Sequence, residues 1–291
     1  KIKQFSGSTA EDVALGMEKM RRAAGGDLSG LILDLRNNPG RLLDQSVEVS
    51  NLFLEDGVIV VTQEGRVHGE RMEIKAMRRP DKIGVPLVVL VNGGSASASE
   101  IVSGAVKNRS RGLIVGDQTF GKGSVQQLYD FPDGSSLKLT IGQYLTPGDE
   151  SIQSVGITPD VRTRSVLIED AESINLFPDD ETREEDLSRH LDHDRIVARR
   201  SKYKLSYLEE PLDEAERERR ANSTKFHDDF EIGFARRVLA LTKGPSREQM
   251  ITAAGAAVDE TQRKQMDKIS TALAKLGVDW SEGKTAGTPK V

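Results

Sequence analysis

Pro86-Leu-Val-Val-Leu-Val-Asn-Gly-Gly-Ser-Ala-Ser-Ala-Ser-Glu-Ile-Val-Ser-Gly-Ala-Val-Lys107 is the stretch that decides the fold. Pro86–Asn92 is a near-continuous apolar run closed by glycines, the pattern of a strand buried on both faces. Ser97–Lys107 reads as a helix with Ile101, Val102, Ala105 and Val106 turned inward. Between them, Gly93–Glu100 sets small residues and three serines at a strand-to-helix junction. In open α/β sheets that is where active sites collect.

The same rhythm extends in both directions. Upstream, Lys1–Phe5 reads as a short strand, and Ser8 or Thr9 can cap a helix carrying Val13, Met17 and Met20 on one face until Gly25-Gly26. Gly30–Leu35 is an apolar strand followed by Arg36-Asn-Asn-Pro-Gly40, a strong turn signal. Leu42–Leu54 reads as a helix and Val58–Thr62 as a strand. Downstream, Gly112–Val115 is a strand, and Ser136–Tyr144 alternates like an antiparallel edge segment entered through the turn Pro132-Asp-Gly134. The expected fold class is α/β with a largely parallel core sheet flanked by helices. After about residue 163 the character changes. An acid-rich, irregular connector is expected over 164–212 and a helical hairpin over 213–280, with Phe230, Phe234, Val238 and Leu241 on its first helix. Gly244-Pro245 forms its break, and Ser246 caps a second helix carrying Met266, Ile269, Leu273 and Leu276. A loose tail is expected over 281–291. The domain reading is therefore a core over 1–163 and a mostly helical C-terminal extension.

Composition bounds the function. With 36% hydrophobic and 30% charged residues, the 291-residue chain has a globular balance. A net charge of −5 argues against nucleic acid as a partner. No apolar run approaches the roughly 20 residues needed to span a bilayer. Cysteine is absent, which excludes disulfides, thiol catalysis and cysteine-bound metals. Opening at Lys1 without a Met, the chain reads as a fragment or mature product.

Ser95, Ser97 and Ser99 share the junction. A serine there meets unpaired helix N–H groups that can also hold an oxyanion; equally, one serine can be an N-cap and the others packing residues. Lys122 lies 25 residues after Ser97 between Gly121 and Gly123. Burial would lower its pKa toward that of a general base; the plain alternative is an exposed loop lysine. Gly116–Lys122 also fits G-x-x-x-x-G-K, but Gly123 stands where a nucleotide loop requires Ser or Thr. Gln126, on a strand-like segment, falls on the side of Lys122 by the period of two and could orient its amine. Gly40 could present a backbone N–H to the same oxyanion, or simply make a tight turn. His68, His190, His193 and His227 lie outside these junctions. A histidine triad is therefore not expected, and His190-Leu-Asp-His193 is at most a weak metal site.

Four strings together resemble the C-terminal processing (tail-specific) protease family of Ser/Lys peptidases, the S41 type: LILDLRNNPG at Leu31–Gly40, Pro86–Lys107, Gly112–Gln126, and YLTPGDESIQSVGITPD at Tyr144–Asp160. Order and spacing match over residues 1–163. The resemblance implies a crotonase/protease-like core and a serine endopeptidase that cleaves polypeptides near their C-termini. It maps the nucleophile onto Ser97, the base onto Lys122, its assistant onto Gln126, and the oxyanion donors onto the Ala98 and Gly40 amides. No metal or cofactor is implied. Substrates would be unfolded polypeptides or C-terminal tails, and the compartment a bacterial periplasm or cell envelope. The alternative is a catalytically silent relative that binds a peptide or other ligand on the same fold. Three positions depart from the family pattern. Arg41 replaces a second glycine after the turn, and Asn108 stands where an acidic residue is common. The PDZ domain usual upstream of the core is not represented.

Overall fold

The computed structural model describes residues 1–64, 71–80, 82–168, 174–175, 183–187, 200–209, 215–216, 218–219 and 227–278. Its elements are α1 (Thr9–Ala24), β1 (Leu31–Asp34), α2 (Leu43–Asn51), β2 (Val58–Glu64), β3 (Arg71–Lys75), β4 (Leu87–Val91), α3 (Ala98–Asn108), β5 (Leu113–Gly116), β6 (Ser124–Asp130), β7 (Ser136–Thr146), β8 (Glu150–Ser151), β9 (Val161–Ile168), β10 (Ile174–Asn175), β11 (Tyr203–Leu208), α4 (Phe230–Leu241) and α5 (Arg247–Lys275). A single 3-10 turn covers Glu184–Asp186.

The core sheet runs β1-β4-β5-β9, with β11 parallel to β9 and β10 antiparallel to its far end. Its parallel body is the one expected from the apolar runs. All five residues of β4 are buried, and their period of two divides them between two cores. Leu87, Val89 and Val91 join Leu31, Leu33, Phe53, Val102 and Met17 under α1, α2 and α3. Val88 and Leu90 join Leu113, Val115 and Val161 under Phe234, Val238, Met250 and Ala254 of α4 and α5. Each such side chain contributes about 1.5–3 kcal/mol by leaving water.

Several local expectations shift. Lys1–Phe5 forms no strand; it is tied down by one bridge from Phe5 to Arg41 and by the Ile2 N–H on Asp34 O. Met20 is exposed, while Met17 on the same helix is buried. Ser136–Tyr144 lies within β7, antiparallel as expected, in a second sheet of order β3-β2-β7-β6 with β8 beside β7; its first part, 136–141, pairs with β6 alone among the described residues, and from Gly142 on it lies between β6 and β2. Among the described residues, β3 and β6 end the sheet order.

The boundary expected at residue 163 falls inside β9. Tyr203–Leu208, in the stretch expected to be irregular, alternates in period two and pairs with β9 from Val161 to Val166, burying Leu205 at 1% exposure. The helical hairpin of α4 and α5 covers one face of the core sheet. Ser246 caps α5 by accepting from Gln249 N at 3.3 Å, as its position suggested. His68, His190, His193 and the tail over 281–291 lie outside the described residues.

Candidate active site

Two turns meet at the C-terminal ends of β1 and β4, and hydrogen bonds stitch them together. The Ser95 hydroxyl donates to Leu35 O at 2.9 Å, and the Ser99 hydroxyl donates to Asn38 O at 2.9 Å. Ala96 N also donates to Asn38 O. Asn37 N donates to Asn92 Oδ1, and the Asn92 amide returns a bond to Asn37 Oδ1. Ser95 and Ser99 are fully buried, and their hydroxyls are spent on the Leu35–Asn38 backbone. Ser97 is half-buried, and its hydroxyl donates to no group among the described residues, standing over the Glu100 N–H as the cap of α3. Of the three serines, the structure thus leaves Ser97 with an undonated hydroxyl.

Ser97 is the N-cap of α3 and holds φ 53°, ψ −111°. A positive φ in a residue with a Cβ is strained, a strain that persists only where surrounding bonds over-determine it. Ala98, the first residue of α3, is buried, and its N–H has no acceptor among the described residues. It is one of the unpaired donors that a helix N-terminus leaves. Gly40, at φ 91°, lies directly against it. A Cβ there would fall 2.5 Å from Ala96 O, 2.7 Å from Ala98 N and 3.0 Å from Ser97 Cβ. The Gly40 N–H does not point into open space: it donates to Asn38 Oδ1 at 2.9 Å within its own turn.

Lys122 comes from the loop between β5 and β6. That loop is laid against the N-terminus of α3 by Phe120 N on Ser95 O, and Ser154 N on Gly121 O ties it to the segment after β8. Lys122 is half-buried, and its ammonium makes no hydrogen bond or ion pair among the described residues. The main chains at Ser97 and Lys122 are neighbours on adjoining segments, and their side chains are not hydrogen-bonded to each other. Gln126 is exposed on β6, opposite Thr140, beyond a register shift in the pairing with β7. Its side chain makes no bond to Lys122.

Sequence reasoning passed over Glu100, a fully buried carboxylate at the centre of this arrangement. One oxygen, Oε2, accepts from Ser97 N at 2.8 Å and from Lys122 N at 2.9 Å. The other, Oε1, accepts from the Thr119 hydroxyl at 2.6 Å and Gly121 N at 2.7 Å. Burial pushes its pKa up to about 7, against the four donors that lower it. The signal was present as the spacing Ser97-x-x-Glu100, in which a glutamate at the third helical position reaches back to the N-cap amide.

The adjoining turn is braced from the far side of the sheet. Arg36 pairs with Asp34 at 3.0 Å, with Asp229 at 2.8 Å and with Glu231 at 2.6 Å. This guanidinium, only 12% exposed, holds Asp34 below the usual carboxylate range despite its burial. Asp229 also caps α4. Arg41, exposed beside Gly40, takes φ 117°, a region that side chains with a Cβ rarely enter. Asn108 donates from its one amide to Thr146 Oγ1, Pro147 O and Glu150 Oε2.

Known proteins were compared with this chain. It is 43% identical over 167 residues to a carboxy-terminal-processing protease of Bartonella bacilliformis, covering 57% of this chain and 38% of that protein. It is 39% identical over 172 residues to a carboxyl-terminal-processing protease of Synechocystis, covering 59% and 39% respectively. The chain thus spans about two fifths of the length of these relatives. Among solved structures, the photosystem II D1 C-terminal processing protease superposes with a TM-score of 0.51 at 36% identity, over 55% of this chain and 40% of that one. The model of peptidase family S41 matches residues 1–163, more than half of the 291, and the protein belongs to that family.

Proposed function

We propose that this protein is a serine endopeptidase that cleaves polypeptides near their C-termini, with Ser97 as nucleophile and Lys122 as general base. The observation that carries the reading is that Ser97 alone among the junction serines donates its hydroxyl to nothing among the described residues, beside the acceptorless N–H of Ala98. Ser97 Oγ attacks the peptide carbonyl while neutral Lys122 takes its proton. The Ala98 N–H receives the charge that develops on the carbonyl oxygen, an interaction worth about 3 kcal/mol in comparable sites. As the C–N bond breaks, the lysine returns the proton to the leaving amine. Water then releases the acyl group from Ser97 by the same proton path.

Two adjustments complete the site. A rotation of the Lys122 side chain brings its amine to Ser97 Oγ, where Gln126 orients it. The Gly40 N–H exchanges Asn38 Oδ1 for the oxyanion as the second donor. Catalytic hydrogen bonds often tighten only with substrate bound. The substrates are unfolded chains or C-terminal tails, and the compartment is the bacterial cell envelope. The names of the relatives, carboxy-terminal-processing proteases, support the substrates, and the family resemblance supports the compartment. A catalytically silent relative would keep the same unjoined Ser97 and Lys122, so activity separates the two readings. Cleavage of an unfolded protein is expected with the wild type and is expected to vanish in Ser97→Ala and Lys122→Ala. Retention of wild-type rates in both variants would end the proposal.

A further inference from the structure

Glu100 raises a physical question. A fully buried carboxylate is costly unless it is paired, yet no cation contacts it among the described residues. Its acceptor capacity is instead filled by three backbone N–H groups and one hydroxyl. Structural needs alone would have been met by an apolar residue, or by a serine or threonine cap, at far lower desolvation cost. What an ionised carboxylate does and a smaller cap cannot is accept from two separate segments at once.

Those segments are the ones that carry the chemistry. Oε2 holds Ser97 N and Lys122 N, so the two main-chain nitrogens stay within two hydrogen-bond lengths of each other. Oε1 holds the approach to Lys122 through Thr119 and Gly121, and the Thr119 hydroxyl in turn accepts from Ile157 N at 2.6 Å. The bond to Ser97 N also helps over-determine the strained φ of 53° at Ser97.

We propose that Glu100 is a positioning residue. Through one carboxylate oxygen it sets the register between the serine that attacks and the lysine that takes the proton. This deepens the Ser/Lys reading and rests on it. Glutamine at position 100 keeps the shape but turns an NH2 group toward donors, so one pair of bonds is lost and the loop carrying Lys122 is held to that side chain by the other pair alone, free to shift against α3. A misplacement of about 1 Å between reacting groups lowers a rate by about 100-fold.

The test compares wild type, Ser97→Ala, Glu100→Gln, Thr119→Ser and Thr119→Val on an internally quenched peptide. Each is assayed well below its own thermal midpoint, with kcat and KM determined separately. Ser97→Ala reports on the underlying reading: if it cleaves like the wild type, that reading fails first. With Ser97→Ala inactive, Glu100→Gln is expected to lose about 100-fold in kcat with KM within about threefold, and to slow acylation by a fluorophosphonate in parallel. Folded Glu100→Gln with kcat within about threefold of wild type, or with a change in KM alone, overturns the proposal. If Glu100→Gln does not fold, the Thr119 variants decide. Serine keeps the hydroxyl and is expected to retain activity within about twofold, while valine removes a donor to Oε1 and is expected to lower kcat about tenfold at unchanged KM. Equal kcat in the two would overturn the proposal.

Discussion

Gly40→Ala is the sharpest perturbation of the contact between the two turns. The added Cβ would lie 2.5 Å from Ala96 O and 2.7 Å from Ala98 N, both backbone atoms that cannot rotate away. The residue would also have to hold φ 91° with a Cβ. Strain at such a φ costs about 1–3 kcal/mol, and overpacking a tight contact costs about 1–3 kcal/mol more. The expected loss is therefore about 2–6 kcal/mol, set against the ~5–15 kcal/mol by which domains are stable, so the variant is assayed at a temperature where it is folded. The catalytic cost is separate. The methyl group occupies the space in front of the Ala98 N–H, and losing one such donor lowers kcat by about 100- to 1,000-fold. Urea unfolding measures the first quantity, and peptide cleavage at a temperature where the variant is folded measures the second. A variant that unfolds at the wild-type urea midpoint and keeps kcat within about threefold would refute the packing of Gly40 on the Ser97–Ala98 backbone.

Other outcomes follow from the same geometry. Arg41→Gly should stabilise the protein by about 1 kcal/mol, because relief of strain at φ 117° outweighs the entropy of a glycine in the unfolded chain; a lower thermal midpoint would contradict this. Arg36→Met should destabilise by about 3 kcal/mol in chemical unfolding, since it strands the buried Asp34 and Glu231 carboxylates; a change below about 0.5 kcal/mol would show the cluster to be dispensable. The pKa of Glu100, pushed up to about 7 by burial, means that the folded chain binds this proton more tightly than the unfolded one. Its contribution to stability should therefore fall as pH rises from about 4.5 to about 7, by a few kcal/mol at most, and Glu100→Gln should flatten that slope in stability measured against pH.

The parallel core was legible because its signals are local and unopposed. Pro86–Asn92 is apolar at nearly every position, and the glycines and serines after it can only be a turn into a helix. The second sheet was not legible, because the outer halves of β6 and β7 are exposed from Gln126 to Thr140 and have no buried face to impose an alternation of apolar and polar residues. Thus Ser136–Tyr144, Val58–Thr62 and the segment around Gln126 each read as strand-like, without the pairing that joins them. Tyr203–Leu208 was hidden for another reason. It buries its leucine against β9, but it is short and stands in a charge-rich stretch. At the site, residue types brought out Ser95, Ser97, Ser99 and Lys122, and the family resemblance narrowed them to Ser97 and Lys122, with Gly40 and Ala98 for the oxyanion. They could not show that Ser95 and Ser99 are spent on the neighbouring turn, that the Gly40 N–H is held by Asn38, or that Gln126 makes no hydrogen bond to Lys122. Those facts depend on which of several nearby acceptors wins, and only the folded geometry decides that.

The central claim, that one serine among three is the nucleophile, is tested most directly by covalent labelling. The protein is treated with a fluorophosphonate and digested, and the modified residue is located by mass spectrometry. Modification of Ser97, abolished in Lys122→Ala, is the result the account predicts. Modification of Ser95 or Ser99, or an active preparation in which Ser97 remains unmodified, would contradict it.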